Sequence, residues 1–164
     1  MQIRVEIHDD AVRKGLADLA RRGANLRPLM QDIGEEAYRS VQKNFDIGGR
    51  PTPWKTSDRV RREGGKTLSD TARLRRSITV DADSSHVRVG TNVEYARIHQ
   101  LGGKTKPHVI RPRHAKGLFW PGAQHPVKAV KHPGSVFPAR PFLTAQDDDM
   151  RRIERIAADY IGKQ

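Results

Sequence analysis

The spacing of apolar residues along the chain predicts three amphipathic helices. The best defined lies between Asn25, a candidate N-cap, and Gly48-Gly49, and its apolar face steps by four through Leu29, Ile33, Ala37, Val41 and Phe45. An earlier helix starts at Asp9 or Asp10, ends at Arg21-Arg22-Gly23 and carries the apolar stripe Val12, Leu16, Leu19 and Ala20. It is either separate or continuous with the next helix through a kink near Gly23. The last helix starts at a capping box of Thr144 and Asp147, with the buried stripe Met150, Ile153, Ile156, Ala157 and Tyr160.

Alternation of apolar and polar residues predicts short strands. The predicted segments are an opening strand at Ile3, Val5 and Ile7; a short helix capped by Ser69 or Asp70 that runs through Leu74; a strand at Ile78 and Val80; and its antiparallel partner at Val87 and Val89. The five residues 81–85 have a length and composition that suit a hairpin loop between the last two strands.

Val89–Gly103, with the sequence VGTNVEYARIHQLGG, is predicted to form a strand end, a tight turn and one short helix. Asn92 is a candidate cap. Tyr95, Ile98 and Leu101 recur every three residues and share one helical face, which is typical of an element buried in a small core. The positions that define this motif are Gly90, Tyr95, His99, Gly102 and Gly103, of which the last two supply a left-handed helix exit.

Two long segments break these periodicities. Gly49–Gly65 is predicted to be a loop, in which Trp54 either pins the loop to the core or contacts a partner. The cations of this loop, Arg59, Arg61 and Arg62, form either a solvated face or an anion site.

Lys104–Pro138 is predicted to be a projecting basic arm with little core of its own, ordered by a partner. Its apolar islands predict two strands paired in a hairpin, at Val109-Ile110 and Leu118-Phe119-Trp120, and a third strand around Val127–Val130.

The composition limits the class of protein. A chain of 164 residues fits a single domain, 1–164, and 35% hydrophobic and 5% aromatic residues allow only a thin core. There are no cysteines, no apolar run long enough to span a membrane, and charges where a signal peptide needs apolar residues. We therefore expect a protein that stays in a cytoplasm or in a particle assembled there, with no membrane partner.

The net charge of +12 favours polyanions or acidic protein surfaces as partners. No acidic residue occurs between Glu94 and Asp147, a stretch rich in Lys, Arg and His. Its candidate DNA-facing residues are Lys104, Lys106, Arg111, Arg113 and Lys116. These cations make a nucleic-acid-binding protein acting outside a particle the alternative function. The absence of a known DNA- or RNA-binding module counts against this alternative.

Signatures of catalysis and of metal binding are missing from the sequence. None of the common hydrolase, nucleotide-binding or zinc-protease motifs occurs. The histidines have no i,i+3 or i,i+4 pairing and several lie among cations, which repel a metal ion. We therefore expect no enzyme activity, no metal site and no cofactor.

Three motifs, in this order and spacing, resemble the virion morphogenesis family of tailed phages, which includes Mu-like tail completion proteins. They are TLSDTARLRRSI at 67–78, the GTxxxYAxIHQxGG string at 90–103 and PARPFL at 138–143. The resemblance extends over nearly the whole chain and is weakest in the 104–138 arm. It implies an α+β fold in which a small antiparallel sheet is packed by helices.

The resemblance also implies a non-enzymatic virion protein or assembly factor that completes the tail and joins it to the head as a ring. The expected partners are further copies of the chain, with six as the natural number for a tail axis, the tail tube and the head–tail connector; packaged DNA is a nonspecific contact. A terminator, a completion factor and a connector all fit this resemblance. The candidate contact residues are Trp54, Arg59, Arg61, Arg62, Phe119, Trp120, Arg140 and Phe142.

Overall fold

The computed structural model describes residues 10–114, 116–120 and 122–162, with side chains from Arg13 onward. The predicted strand at Ile3, Val5 and Ile7 and the side chain of Val12 lie outside this part. The helices are α1 Asp10–Ala24, α2 Arg27–Ile47, α3 Asp58–Glu63, α4 Arg73–Arg76, α5 Ala96–Leu101 and α6 Asp147–Gly162. The strands are β1 Thr79–Ala82, β2 Val87–Gly90, β3 Gly103–Lys104, β4 His108–Ile110, β5 Val130–His132 and β6 Val136–Phe137. The fold is α+β, as predicted.

The chain divides into two compact units. The helical unit comprises residues 1–93 and 142–164, and the ribbon unit comprises residues 94–141. In the described part of the chain, no helix is long and apolar enough to cross a membrane.

Helix α2 is the centre of the helical unit. Leu29, Val41 and Phe45 on its predicted apolar face are buried. The helix ends at Gly48, whose positive φ of 84° lets its N–H reach the carbonyl of Asn44, so the predicted end is confirmed. Its start is separate from α1, because the Asn25 side chain accepts the N–H of Arg27 at 3.3 Å after α1 has ended.

The β1–β2 hairpin packs on one side of α2. The strands are antiparallel, as the alternation predicted, and Val80 lies opposite Val89. The predicted loop at 81–85 is wrong at its start, because Asp81 and Ala82 still pair with Arg88 and Val87. Gly34 allows the close approach, since a Cβ there would lie 2.7 Å from the Val80 side chain. The hairpin loop is held by Asp83, which accepts the backbone N–H groups of Ser85 and His86 and whose pKa these bonds lower.

Helices α1 and α6 bury less than their periodicity predicted. Leu16 and Leu19 of the apolar stripe of α1 are 61% and 45% exposed. Met150 of α6 is 47% exposed, so the prediction of a buried stripe on α6 is wrong at this position. A period of 3.6 defines a face of a helix but does not supply an element to cover it. The two helices meet at the end of α6, where Arg22 donates to the carbonyls of Tyr160 and Ile161.

The 49–65 segment contains a helix that was not predicted. Ser57 accepts the N–H of Val60 and caps α3, and the six-residue helix ends at Gly64. Trp54 is only 7% exposed, and its ring meets that of Phe45 edge-on at 5.6 Å. The position of Trp54 favours the interpretation that it pins the segment to the core.

Several predicted helix caps are wrong. The N-cap position of α2 is Leu26 and not Asn25, and Leu26 makes no side-chain capping hydrogen bond. Helix α4 begins after Ala72, which has φ 57°, and not at Ser69 or Asp70. Helix α5 begins after Tyr95 without a side-chain cap, so Asn92 does not cap it. Both helices are short, and the preceding backbone sets their starts without a capping side chain.

The predicted burial of the α5 face is also wrong. Tyr95 and Leu101 are 40% and 66% exposed, whereas Ala96 is the buried residue of the helix. The helix ends at Gly102 as predicted, with a positive φ of 72°, but ψ of 179° places the residue outside the left-handed helical region. A Cβ there would lie 2.8 Å from the backbone nitrogen of Ala139.

The 104–138 arm is a ribbon of nested antiparallel pairs. Strand β3 pairs with β6, β4 pairs with β5, and an isolated bridge joins Leu118 to Val127. The predicted pairing of Val109-Ile110 with Leu118–Trp120 is therefore wrong, since Ile110 lies opposite Val130. Short apolar segments predict strands but do not specify which strand pairs with which.

Candidate assembly site

A network of charged and polar side chains joins α2 to the start of α6 inside the helical unit. Asp149 is fully buried. Its Oδ2 accepts hydrogen bonds from the Ser40 hydroxyl at 2.5 Å, from the Gln146 backbone N–H at 2.9 Å and from Arg50 Nη2 at 3.0 Å. Arg152 pairs with its other oxygen. A buried carboxylate with this many donors is stabilised as the anion.

The protonation of Asp149 reflects two opposing effects. Burial raises its pKa, but the hydrogen bonds from Ser40, Gln146 and Arg50, together with the charge of Arg50, outweigh burial and hold the pKa below its ordinary value. The hydrogen bond to Glu36, at 2.5 Å, and then that to Asp148 raise the pKa of Arg152. At neutral pH the Asp149 carboxylate is therefore ionised and Arg152 carries its positive charge.

Asn44 connects this network to the segment that precedes α6. Its amide donates to the carbonyls of Phe142 and Thr144, both at 2.9 Å, and its carbonyl oxygen accepts from Arg50 Nε at 2.7 Å. The predicted capping box of Thr144 and Asp147 is replaced by this arrangement, because Asp149 caps the backbone at Gln146. The network therefore links α2, the segment before α6 and the first turn of α6.

This network was missed by sequence reasoning, which assigned Asp147 to a capping box with Thr144 and gave Asp149 no role in the interior of the fold. The only available signal was the run of three acids, which contains more carboxylates than one helix start needs. Two partners of Asp149, Ser40 and Arg50, lie 109 and 99 residues earlier in the chain, so no local pattern could identify them. Within the described residues, no group of three or more His, Asp or Glu side chains is arranged to hold a metal ion.

His99, a predicted motif residue, lies inside the ribbon unit between two aromatic rings. The ring centroids of Tyr95 and Phe137 are each 5.8 Å from that of His99 and nearly perpendicular to it. Its Nδ1 is buried and has no hydrogen-bond partner among the described residues. Burial, and then the charge of Arg140, lower the pKa of His99, which keeps the imidazole neutral near pH 7.

Three of the predicted contact residues lie in the interior of the chain. Trp54 is 7% exposed, Arg140 is 6% exposed and Phe142 is fully buried. Phe142 packs against Phe45 with ring centroids 5.4 Å apart. These side chains present little surface to another molecule.

The three loop arginines behave as a partly solvated face. Arg59 donates to the carbonyl of Lys66 at 2.8 Å and lies 3.5 Å from Asp70. Arg61 pairs with Asp58 at 3.1 Å, and Arg62 is exposed. The first two therefore have local partners.

The ribbon unit, by contrast, exposes both apolar and basic side chains. Its exposed large apolar residues include Val136, Phe119, Leu101, Val109 and Trp120, at 75%, 67%, 66%, 49% and 46%. All five predicted DNA-facing cations are exposed as well: Lys104, Lys106, Arg111, Arg113 and Lys116. Exposed aromatic residues beside cations are typical of a surface that another macromolecule covers, so the ribbon is the candidate assembly site.

Comparison with known proteins agrees with an assembly role. A model of the phage virion morphogenesis family matches residues 7–162 of the chain. The chain is also 39% identical over 159 residues to Mu-like prophage FluMu G protein 2 of Haemophilus influenzae. That alignment covers 96% of this chain and 95% of the relative. No solved structure matches the chain.

Proposed function

The chain belongs to the phage virion morphogenesis family, and on this premise we propose that it completes the tail and joins it to the head. The membership confirms the resemblance found in the sequence, and the chain has a structural or morphogenetic role in a bacteriophage or prophage. Within that role we assign it to the virion neck, as one subunit of a homo-oligomeric ring formed in the host cytoplasm. The expected ring has six subunits and contacts the tail tube and the head–tail connector.

The exposed ribbon is the observation that carries this proposal. Strands β3–β6 are two or three residues long, and in β4 every residue is exposed. An isolated two-stranded ribbon is at best marginally stable in water, and a partner that covers its apolar side chains stabilises it. A subunit whose ribbon is completed by neighbours fits a closed symmetric assembly.

Disruption of the gene tests the proposal. After induction of a prophage that lacks this chain, we expect electron microscopy to show filled heads separate from tails, and infectivity to return when the chain is supplied from a plasmid. Joined, infectious particles in the absence of the chain would overturn the proposal.

Tail length in the same particles separates the narrower roles. Tails of normal length that lack heads indicate a completion factor or connector. Tails far longer than normal indicate a terminator, because nothing then stops tube growth. A chain absent from purified virions but required for joining is an assembly factor that leaves the particle.

A second role, nonspecific contact with packaged DNA, is favoured by the exposed basic side chains of the ribbon. Lys104, Lys106 and Arg111 carry no acidic neighbour in sequence, since Glu94 is the only acid in the ribbon unit. We expect weak, sequence-independent DNA binding whose logarithmic affinity falls linearly with the logarithm of salt concentration. Absence of binding at low salt would contradict this role without affecting tail completion.

A further inference from the structure

A groove of about 1000 Å³ lies between α2 and β1 in the helical unit. Its walls include Asp32, Glu35 and Tyr38 of α2 and Val80, Asp81 and Ala82 of β1. Among the described residues, no residue of β2 lines it. The groove therefore follows the edge of β1 that β2 leaves uncovered.

The outer edge of β1 has no neighbouring strand among the described residues. Each strand of a two-stranded ladder directs about half of its backbone N–H and C=O groups away from its partner. Val80 packs towards Gly34 and yet is 37% exposed, so the groove also offers an apolar side chain. A further strand laid along β1 would pair with the backbone and cover Val80.

The charge of the groove is opposite to that of the rest of the molecule. Asp32, Glu35 and Asp81 are exposed acids on its walls, and Arg39 is the cation among the lining residues. Arg39 is already engaged, since its guanidinium donates to Glu35 at 3.0 Å. The chain as a whole carries a net charge of +12, so an acidic groove favours a basic occupant.

Strand β4 has the properties of that occupant. It is three residues long against four in β1, and all three residues are exposed, whereas two of the three residues of its partner β5 are half-buried. Val109 supplies an apolar side chain that is 49% exposed. Lys106 and Arg111 flank the strand, and both are exposed.

We propose that the groove binds strand β4 of a second copy of this chain, which adds to the edge of β1 and brings the basic flanks of β4, at Lys106 and Arg111, to the acidic walls of the groove. The contact joins two different surfaces, so each copy offers a groove to one neighbour and a strand to the next. Such head-to-tail contacts close into a ring when the rotation per subunit divides a full turn. This inference rests on the proposed assembly role and specifies the subunit contact within it.

Charge reversal on each side gives a direct test. A groove-reversed variant carries Asp32→Lys and Glu35→Lys, and a strand-reversed variant carries Lys106→Glu and Arg111→Glu. The molar mass of each is measured by light scattering and sedimentation in low salt over a range of concentrations. We expect each variant alone to associate at least tenfold more weakly than the unchanged chain, because its groove and strand now carry like charges.

A mixture of the two variants then provides the decisive measurement. The reversed groove meets a reversed strand, and the unchanged groove of one variant meets the unchanged strand of the other, so alternating association should return. Control variants change the same charges on α6, with Glu154→Lys and Asp159→Lys in one and Arg151→Glu and Arg155→Glu in the other. These should associate like the unchanged chain, and circular dichroism should show that every variant is folded.

Three results would overturn the proposal. The first is an unchanged chain that remains monomeric at millimolar concentration and low salt. The second is normal association of the groove-reversed variant, which would show that β4 or another segment docks elsewhere. The third is a mixture that does not associate although each variant is folded, which would assign the groove to a different occupant.

The outcome is separable from that of the proposed function. If head–tail joining requires the chain but the groove-reversed variant supports joining normally, the tail-completion role stands and the groove contact is wrong. If joining proceeds without the chain, the tail-completion role fails whatever the association measurements show.

Discussion

Phe45 and Phe142 of the helical unit are completely enclosed, and the buried Asp149 has protein partners for both carboxylate oxygens. In the ribbon unit, Phe119 and Trp120 are 67% and 46% exposed, and the neighbouring cations are exposed too. The same classes of side chain, aromatic and charged, are thus buried within the chain in one unit and left on the surface in the other.

The difference indicates where each unit gains its stability. A buried aromatic side chain contributes to the folding of the chain itself, whereas an exposed one contributes when a partner removes it from water. We therefore expect substitutions in the helical unit to affect unfolding and substitutions in the ribbon unit to affect association. The following predictions test that separation, beginning with the largest effect.

Replacement of Phe45 by Ala should destabilise the chain by about 3–5 kcal/mol, since it removes a fully buried ring and leaves a cavity against Trp54 and Phe142. The matched substitution Phe119→Ala should change the free energy of unfolding by less than about 0.5 kcal/mol, because the ring is 67% exposed. Urea unfolding followed by circular dichroism measures both. A loss of more than about 2 kcal/mol for Phe119→Ala would show that the ribbon has a core that the structure does not reveal.

Replacement of Asp149 by Asn should cost about 3 kcal/mol at neutral pH, because it leaves Arg50 and Arg152 without their buried counter-charge. The folded carboxyl has a lowered pKa, so its stabilisation is complete above the unfolded value, near 3.8, and is lost as pH falls through the folded value. The difference in unfolding free energy between Asp149→Asn and the unchanged chain should therefore shrink below about pH 4.

Asp148 is the control for that substitution. Its side chain is 42% exposed and also pairs with Arg152, at 3.1 Å. Asp148→Asn should have a much smaller effect at neutral pH, within the range of surface ion pairs. Equal losses of unfolding free energy for the two variants would show that the burial of Asp149 does not determine how much the network stabilises the chain.

The parts of the fold that could be predicted are those fixed by neighbours in sequence. The step of four from Leu29 to Phe45 specified α2, Gly48 specified its end, and the alternation around Val80 and Val89 specified the hairpin. Each signal lies within a few residues of the feature that it predicts.

The parts that could not be predicted depend on distant partners. Leu16 and Leu19 show the period of a helix, but whether another element covers them is not encoded within α1. Ile110 pairs with Val130 rather than with the nearer Leu118, since nested pairing is a property of the whole ribbon. Of the candidate site, sequence reasoning found the exposed cations and aromatic residues of the ribbon, but it also selected Arg140 and Phe142, which are buried.

Replacement of Gly102 by Ala should destabilise the folded ribbon unit by about 1–3 kcal/mol, an effect of intermediate size. The residue has φ 72°, and an added Cβ would lie 2.8 Å from the Ala139 nitrogen and 3.0 Å from the Phe137 carbonyl oxygen. Gly122→Ala is the matched control, because that glycine also has positive φ, at 93°, but nothing within 4 Å of the added atom. Hydrogen exchange of the 94–141 peptides should increase more for Gly102→Ala, and equal increases would attribute the cost to backbone strain alone.

The smallest predicted effect concerns His99. This side chain takes up at most one proton when the ribbon unit opens, which limits how strongly the free energy of opening depends on pH. Because its folded pKa is lowered by burial and by Arg140, the neutral ring stabilises the unit fully above the unfolded pKa, near 6.5, and that contribution falls as pH drops through the folded value. Opening measured by hydrogen exchange, corrected for intrinsic rates, should therefore become easier below pH 6.5 in the unchanged chain. In His99→Phe, which keeps an aromatic ring between Tyr95 and Phe137, that pH dependence should disappear while the 10–93 peptides behave as before. A dependence that persists in this variant would locate the acid-sensitive group elsewhere in the ribbon unit and would remove His99 from the explanation.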